Sequence, residues 1–201
     1  MIFIPAGSFR MGAVDKDHLA DREVEEPCHT VTFSHGFFML TYPVTQLIWK
    51  EIMGQNPSLF SGLTRPVEWV NWCDALVFCN RWSEREGLEP AYTGHYVHAS
   101  DLEPGVDIFE DLFQSWEDIK EISDDMHFNK NANGYRLLTD AEWDHAAQGG
   151  KEHLYSGSNN AEEVAWTSYA GDHHKPVGMK KPNGFGLYDM HGNLWEWVEE
   201  L

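Results

Sequence analysis

Three cysteines in 201 residues are too few for a disulfide framework. No CxxC pair occurs, and Cys73 and Cys79 stand six apart on a segment whose spacing predicts a helix, which does not suit a bond between them. A reduced, cytoplasmic setting is the expectation. Basic residues are scarce as well: 14 Lys and Arg face 33 Asp and Glu, a formal net charge of −19. That balance repels phosphate backbones and anionic lipid, so neither nucleic acid nor membrane is expected as a partner. A protein or small molecule that is basic or uncharged fits better. No window reaches the roughly 18 apolar residues of a membrane span, and the opening MIFIPAG has neither a basic start nor a long apolar stretch. There is no internal repeat, no phosphate-cradling GxxxxGK, no GxSxG nucleophile elbow, no HExxH zinc helix and no DxDxDG calcium loop. The chemistries those motifs serve have nothing here to carry them.

What is present is aromatic. Phe, Trp and Tyr make up 13% of the chain, nine of them Trp, and 17 Gly and 9 Pro are scattered rather than clustered. That composition points to a loop-rich globular fold with a real core, not to a helical bundle. Residues 2–11 alternate and break at Gly7 and Gly12, which predicts a short strand or hairpin. Residues 29–33 (HTVTF) and 36–40 (GFFML) read as two strands joined through Ser34 and His35. Thr45 is placed to cap a helix running to about Met53, stopped by Gly54 and Asn56-Pro57. A second helix follows Asn71, with Trp72, Ala75, Leu76, Cys79 and Trp82 on one face and Gly87 at its end. Cys79 lies on that stripe and Cys73 off it; no base is placed to activate either, so packing roles are expected. Thr139 with Glu142 is a capping-box signature for a helix to Gln148, closed by Gly149-Gly150. Glu142 is then explained as a cap, and His145 as a surface or packing residue. Asp172-His173-His174 reads as a solvated loop.

Residues 101–125 are the compositional outlier, with ten carboxylates against one Lys. Ile108, Leu112, Phe113, Trp116 and Ile119 fall at helical spacing, so an amphipathic helix over 107–122 with an acidic outer face is expected. Such a face is either solvated or a dock for a basic partner.

Residues 184–197, GFGLYDMHGNLWEW, carry the densest chemistry. Oxygen donors stand at Asp189 and Glu196, with Gly192 and Asn193 between them to let the backbone turn. Carboxylates and carbonyls around a tight glycine-bearing loop are what a hard cation such as Ca²⁺ selects, and the indoles and phenol of the stretch would wall it from behind. The alternative is a Gly-Asn turn between two aromatic core strands, with Asp189 and Glu196 capping or solvated.

This stretch, with GYRLLTDAEWDHAAQGG at 134–150, resembles the formylglycine-generating enzyme (sulfatase-modifying factor) family. IPAGSFRMG at 4–12, Glu26-Pro27-Cys28-His29, Tyr42-Pro43-Val44-Thr45 and the Pro-Val-x-x-Val-x-Trp-x-x-Ala pattern at 66–75 extend the resemblance from end to end. Residues 136–150 depart from the family pattern at Leu138 for Pro, Asp140 and Asp144 for Glu, His145 for Tyr and Gln148 for Arg. The resemblance implies an α+β, C-type-lectin-like fold with little regular secondary structure. It implies one domain over residues 1–201, with the acidic insertion at about 95–130. It also implies Ca²⁺ held by the Asp189 side chain, the Gly192 and Leu194 carbonyls and the Glu196 carboxylate. The family's other calcium site maps only onto Glu163-Val164 and Asp172 with His174, a poor match.

Active members of that family oxidise a substrate cysteine in a Cys-x-Pro-x-Arg motif to formylglycine. They use O₂ and a Cu(I) ion held by two cysteines, which follow an Arg-Gly-Gly-Ser segment beyond the Trp-Glu-Trp motif. These 201 residues contain neither, and Cys28, Cys73 and Cys79 do not match the pair, so copper is not supported by this chain. Ergothioneine-type sulfoxide synthases share the domain but take iron ligands from a helical domain without a counterpart here. Retroelement-diversified binding proteins share the fold too, and residues 151–197 are similar to them in style. The expectation is therefore a non-catalytic, calcium-stabilised, C-type-lectin-like binding domain. The alternatives are a truncated copper- and O₂-dependent oxidase, and an interaction subunit docking a basic partner through its acidic helix. In each, the family's C-terminal strands are missing, leaving a sheet edge that a partner chain could complete.

Overall fold

The computed structural model describes residues 1–12, 28–94, 127–166 and 173–199. They mix short strands and helices and fall into two compact units, one of residues 1–47, 60–67 and 138–201, the other of residues 48–59 and 68–137. The acidic helix expected over 107–122 lies outside the described residues. Among the described residues, no helix is long and apolar enough to cross a membrane.

In the first unit, the N-terminal residues form two strands, β1 (Ile2–Ile4) and β2 (Gly7–Met11), that do not pair with each other. Each instead pairs antiparallel with a strand of the next segment: β2 with β3 (His29–Phe33), in register Gly7↔Phe33, and β1 with β4 (Phe37–Met39), in register Ile2↔Met39. Of the expected short strand or hairpin over 2–11, strand is what forms, as two separate strands, and the hairpin is corrected. Proline has no N–H for a ladder, so the chain bends at Pro5 and the two halves lie on separate partners. The strands at 29–33 and 36–40 form as expected, and Gly36 is required between them. A Cβ there would meet the Phe3 ring at 2.4 Å.

Helix α1 (Gln46–Met53) agrees with the spacing-based expectation. Its first residue is almost completely buried, and its amide is fully used. Gln46 Nε2 donates to the carbonyls of Phe60 (3.0 Å) and Pro66 (3.2 Å), and Oε1 accepts from the Gly62 N–H (2.9 Å). This one side chain fixes the 60–66 loop.

In the second unit, α2 (Trp72–Arg85) begins at a complete capping box: Asn71 Oδ1 accepts from the Asp74 N–H and Asp74 Oδ2 from the Asn71 N–H. Its buried face is wider than the expected stripe. Val77, Phe78, Asn80 and Ser83 join Ala75, Leu76 and Cys79, whereas Trp72 and Trp82 are only half-buried. The reason is that three different segments cover the helix. Trp49 stacks on Phe78 with ring centres 4.8 Å apart. Asn80 holds the Tyr92 backbone in both directions, and Ser83 Oγ accepts from the Tyr135 N–H. Cys79 is buried in this packing, and burial, then the Asp74 charge, pushes the half-buried Cys73 thiol up. β5 (Tyr92–Thr93) pairs with β6 (His127–Phe128).

Back in the first unit, α3 (Asp140–Gln148) carries the expected capping box between Thr139 and Glu142 and ends at Gly149 in a left-handed conformation, φ 62°. A last short helix, α4, spans Ala161–Val164. His145 is a packing residue, not a surface one. It is buried against Phe9, Phe33 and Phe185, and its Nε2 donates to the Pro5 carbonyl at 3.1 Å. The core contains Ile4, Met39, Ala146, Ala147, Leu187 and Met190.

Asn183 ties this core to the C-terminal segment. Its Nδ2 donates to the Ala146 carbonyl (2.7 Å) and to Ser156 Oγ (3.1 Å), while Oδ1 accepts from the Phe185 (3.0 Å) and Leu187 (3.1 Å) amides. Replacing it with Ala strands several buried backbone groups, each costing about 1–3 kcal/mol. We expect Asn183→Ala to lower the melting temperature by about 6–12 °C. Thr139→Ala, which removes a single cap worth about 1 kcal/mol, should lower it by only about 2–4 °C. Equal losses in a thermal melt would rule out Asn183 as the tie.

Candidate metal centre

The DMHGNLWE stretch winds tightly, with left-handed backbone at Asp189 (φ 59°), Gly192 (φ 77°) and Asn193 (φ 68°). Asp and Asn tolerate that conformation because their short polar side chains bond locally. Gly192 is needed for a second reason. It bridges to Trp166, whose N–H donates to the His191 carbonyl at 3.2 Å, and a Cβ on Gly192 would stand 1.8 Å from the Trp166 carbonyl oxygen. His191 Nδ1 accepts from the Ser156 N–H at 3.2 Å. That bond fixes the proton on Nε2, and burial lowers the pKa of the ring.

Asp189 is 2% exposed. Its Oδ2 accepts from the Gly178 N–H at 2.6 Å, but its Oδ1 is buried and has no hydrogen-bond donor among the described residues. Burial raises its pKa more than the Gly178 N–H and the nearby Trp166 indole lower it. Glu196 is partly exposed as a residue, yet burial of its carboxyl pushes its pKa up to about 7; the Trp143 indole lowers it somewhat and the Asp189 charge raises it further. The two indoles act as nearby dipoles rather than formed bonds, since Trp143 Nε1 and Trp166 Nε1 are themselves buried and outside hydrogen-bond geometry.

The fold therefore brings Asp189 and Glu196 within electrostatic reach, and the spacing of the sequence had anticipated that pairing. Its expected wall was wrong. Trp195 is 99% exposed and Trp197 47% exposed, because burial alternates along residues 195–198, with Glu196 and Val198 more buried than the two indoles. The aromatic neighbours of the carboxyls are Trp143 on α3 and Trp166 after α4. Trp143 falls in the family-like segment at 134–150, whereas nothing in the sequence singled out Trp166. Asn193, whose side chain holds the Lys175 backbone at 2.8 and 3.2 Å, was also read only as a turn residue.

Among the described residues, no three His, Cys, Asp or Glu side chains converge, so a cation here requires backbone oxygens as well as the two carboxylates. The residues fit one. Asp189 Oδ1 is an acceptor without a donor, and a cation relieves the mutual destabilisation of two buried carboxylates. The Gly192 carbonyl accepts from the Leu194 N–H at 2.9 Å and keeps a second lone pair free for a metal. All these donors are oxygens, as Ca²⁺ prefers. Of the residues mapped to the second site, Glu163 is paired with Lys181 (3.2 Å) and Ser158 (3.1 Å), and Asp172 lies outside the described residues. His173 and His174 are not a simple solvated loop. His173 stacks on Phe60 at 3.8 Å, and the His174 carbonyl accepts from Arg65.

Comparison with known proteins follows the same lines. A family model described as a sulfatase-modifying factor enzyme 1-like domain matches residues 1–201. The chaperone protein LppX of Paenibacillus barcinonensis is 36% identical over an alignment covering 100% of this chain and 71% of that protein. The formylglycine-generating enzyme of Mycobacterium tuberculosis is 28% identical, over 98% of this chain and 73% of its own. Among solved structures, Treponema denticola variable protein 1 superposes with a TM-score of 0.78 at 32% identity, covering 98% of this chain and 71% of that one. The short motifs at 4–12, 66–75, 136–150 and 184–197 thus sit in a match that runs the length of the chain, which belongs to the sulfatase-modifying factor enzyme 1-like family of formylglycine-generating enzyme domains.

Proposed function

We propose that the chain is a non-catalytic, calcium-stabilised binding domain with the C-type-lectin-like variant of this family's fold, its ligand a protein or small molecule. The observation that carries it is the buried Asp189 carboxylate with one donor-less oxygen, facing the raised Glu196 carboxyl. Ca²⁺ would be held by these two side chains and the Gly192 and Leu194 carbonyls, leaving two to four positions of a six- to eight-fold shell for water. The rival oxidase needs a pair of thiolates on one copper. Cys73 and Cys79 stand about 9 Å apart along one helix, and Cys28 Sγ accepts from Arg10 at 3.1 and 3.3 Å. The 36% likeness to a protein named as a chaperone favours a second reading, in which the ligand is a client polypeptide. Exposed Phe3, Phe38 and Trp195 are compatible with that.

If calcium binds, saturation at 100 times its dissociation constant stabilises the fold by about 2.7 kcal/mol. The expected rise in melting temperature is about 5–11 °C. Asp189→Ala should abolish it, and a Cys-x-Pro-x-Arg peptide should cause no oxygen uptake. An unchanged melt with calcium removes the metal from the proposal, and oxygen uptake restores the oxidase.

The carboxyl pair also sets a pH signature. Glu196 titrates near 7 in the folded chain, above its ordinary 4.5, so its protonated form favours the fold. That contribution is complete below about pH 4.5 and is lost as pH rises through 7. The lowered His191 has the opposite sign, losing stability as pH falls through its ordinary value near 6.5. The measurement is thus a difference. Between pH 5 and 8 without calcium, wild type should lose more stability than Glu196→Gln, and saturating calcium should remove the gap by favouring the ionised pair. Parallel melting curves for the two proteins would contradict the buried carboxyl.

A further inference from the structure

We infer that residues 173–178 form a strap through which the cation loop controls the surface where exposed His173 stacks on half-buried Phe60, an inference that rests on the calcium reading above. The strap has no strand or helix of its own, so its backbone groups are satisfied by what lies on either side. Toward the cation loop, the Lys175 N–H donates to Asn193 Oδ1 (2.8 Å), Asn193 Nδ2 donates back to the Lys175 carbonyl (3.2 Å), and the Gly178 N–H donates to Asp189 Oδ2 (2.6 Å). Toward the 60–66 loop, the Val177 N–H donates to the Thr64 carbonyl (2.9 Å) and Arg65 donates to the His174 carbonyl. His173 ends the strap, exposed and stacked on Phe60 at 3.8 Å.

The two flanks differ in how firmly they are held. The 60–66 loop is pinned by the buried Gln46 amide through three hydrogen bonds. The cation loop is hydrogen-bonded along its backbone, yet it carries two carboxyls raised by burial, one of them with a buried oxygen that has no donor among the described residues, and three left-handed residues; a cation would join its oxygens. Asn193 is the positioning residue. It sits between the two residues whose carbonyls would hold the metal, and its amide grips one strap residue from both sides. Fixing those carbonyls fixes Asn193, then Lys175, then the segment that lays His173 on Phe60. An ordered Phe60–His173 face, flanked by exposed Leu63, is the consequence on the surface.

Amide hydrogen exchange on the full chain, followed by NMR with calcium or with a chelator, tests this. Val177 is the reporter because its bond goes to Thr64 and not to the cation loop. Calcium should slow its exchange about tenfold or more relative to Asn129, whose N–H donates to the Ala91 carbonyl. Asn193→Gly keeps the left-handed backbone while removing the grip; calcium should still raise the melting temperature, but Val177 should stop responding. Asn193→Asp, which retains the acceptor for Lys175, should give an intermediate response and serves if the glycine variant is poorly folded. A calcium-raised melt with Val177 unchanged in wild type, or a full response in Asn193→Gly, overturns the strap alone. No thermal response to calcium overturns the calcium reading, and control through the strap falls with it.

Discussion

A carboxylate taken out of water must be given hydrogen bonds, a counter-charge or a proton, and among the described residues Asp189 has one hydrogen bond, from the Gly178 N–H. Its second oxygen is buried without a donor among the described residues, and its charge acts on another carboxyl, Glu196, whose own pKa is raised to about 7. No apolar core needs such a pair. It lies at the bend of a loop with three left-handed residues, closed by Gly192, and is the feature on which the proposed cation site rests. The surrounding construction is consistent with that demand. Gly178 donates to one oxygen, two indoles stand by as dipoles, and Trp195 and Trp197 are turned outward so that Glu196 can turn in.

Side-chain amides take over much of the work that regular ladders do in other folds. The described sheets are two-stranded and short, so most backbone groups need other partners. Gln46 closes the 60–66 loop, Asn80 holds the Tyr92 backbone, Asn183 joins α3 to the C-terminal segment, and Asn193 holds the strap. Each uses both a donor and an acceptor, which is what an amide offers and a carboxylate does not. A loop-rich domain gains definition this way at the cost of sensitivity, because one substitution strands several buried groups at once.

Where elements begin and end was legible in the sequence, since capping, periodicity and breakers act within a few residues. The boxes at Asn71 and Thr139 and the stops at Gly54 and Gly149 needed no distant partner, and the strands at 29–33 and 37–39 were bounded by local turn residues although their partners lie at 2–11. The pairing of Asp189 with Glu196 was legible too, because seven residues with Gly192 between them can bring both carboxyls to one place. Local rules could not say that β1 and β2 would take different partners, or that His145 would be enclosed by Phe9, Phe33 and Phe185 from three separate segments.

Read alone, the sequence pointed to the family and to most local elements. Tertiary structure decided which way each aromatic faces. Trp195 and Trp197 are in the motif yet lie in solvent, whereas Trp143 and Trp166, 53 and 30 residues before Glu196, stand beside the carboxyls. The physical reason is that burial and desolvation are properties of assembled surroundings. A carboxylate's pKa, an orphaned oxygen and a strap's grip on a loop arise only when segments far apart in the chain are packed together.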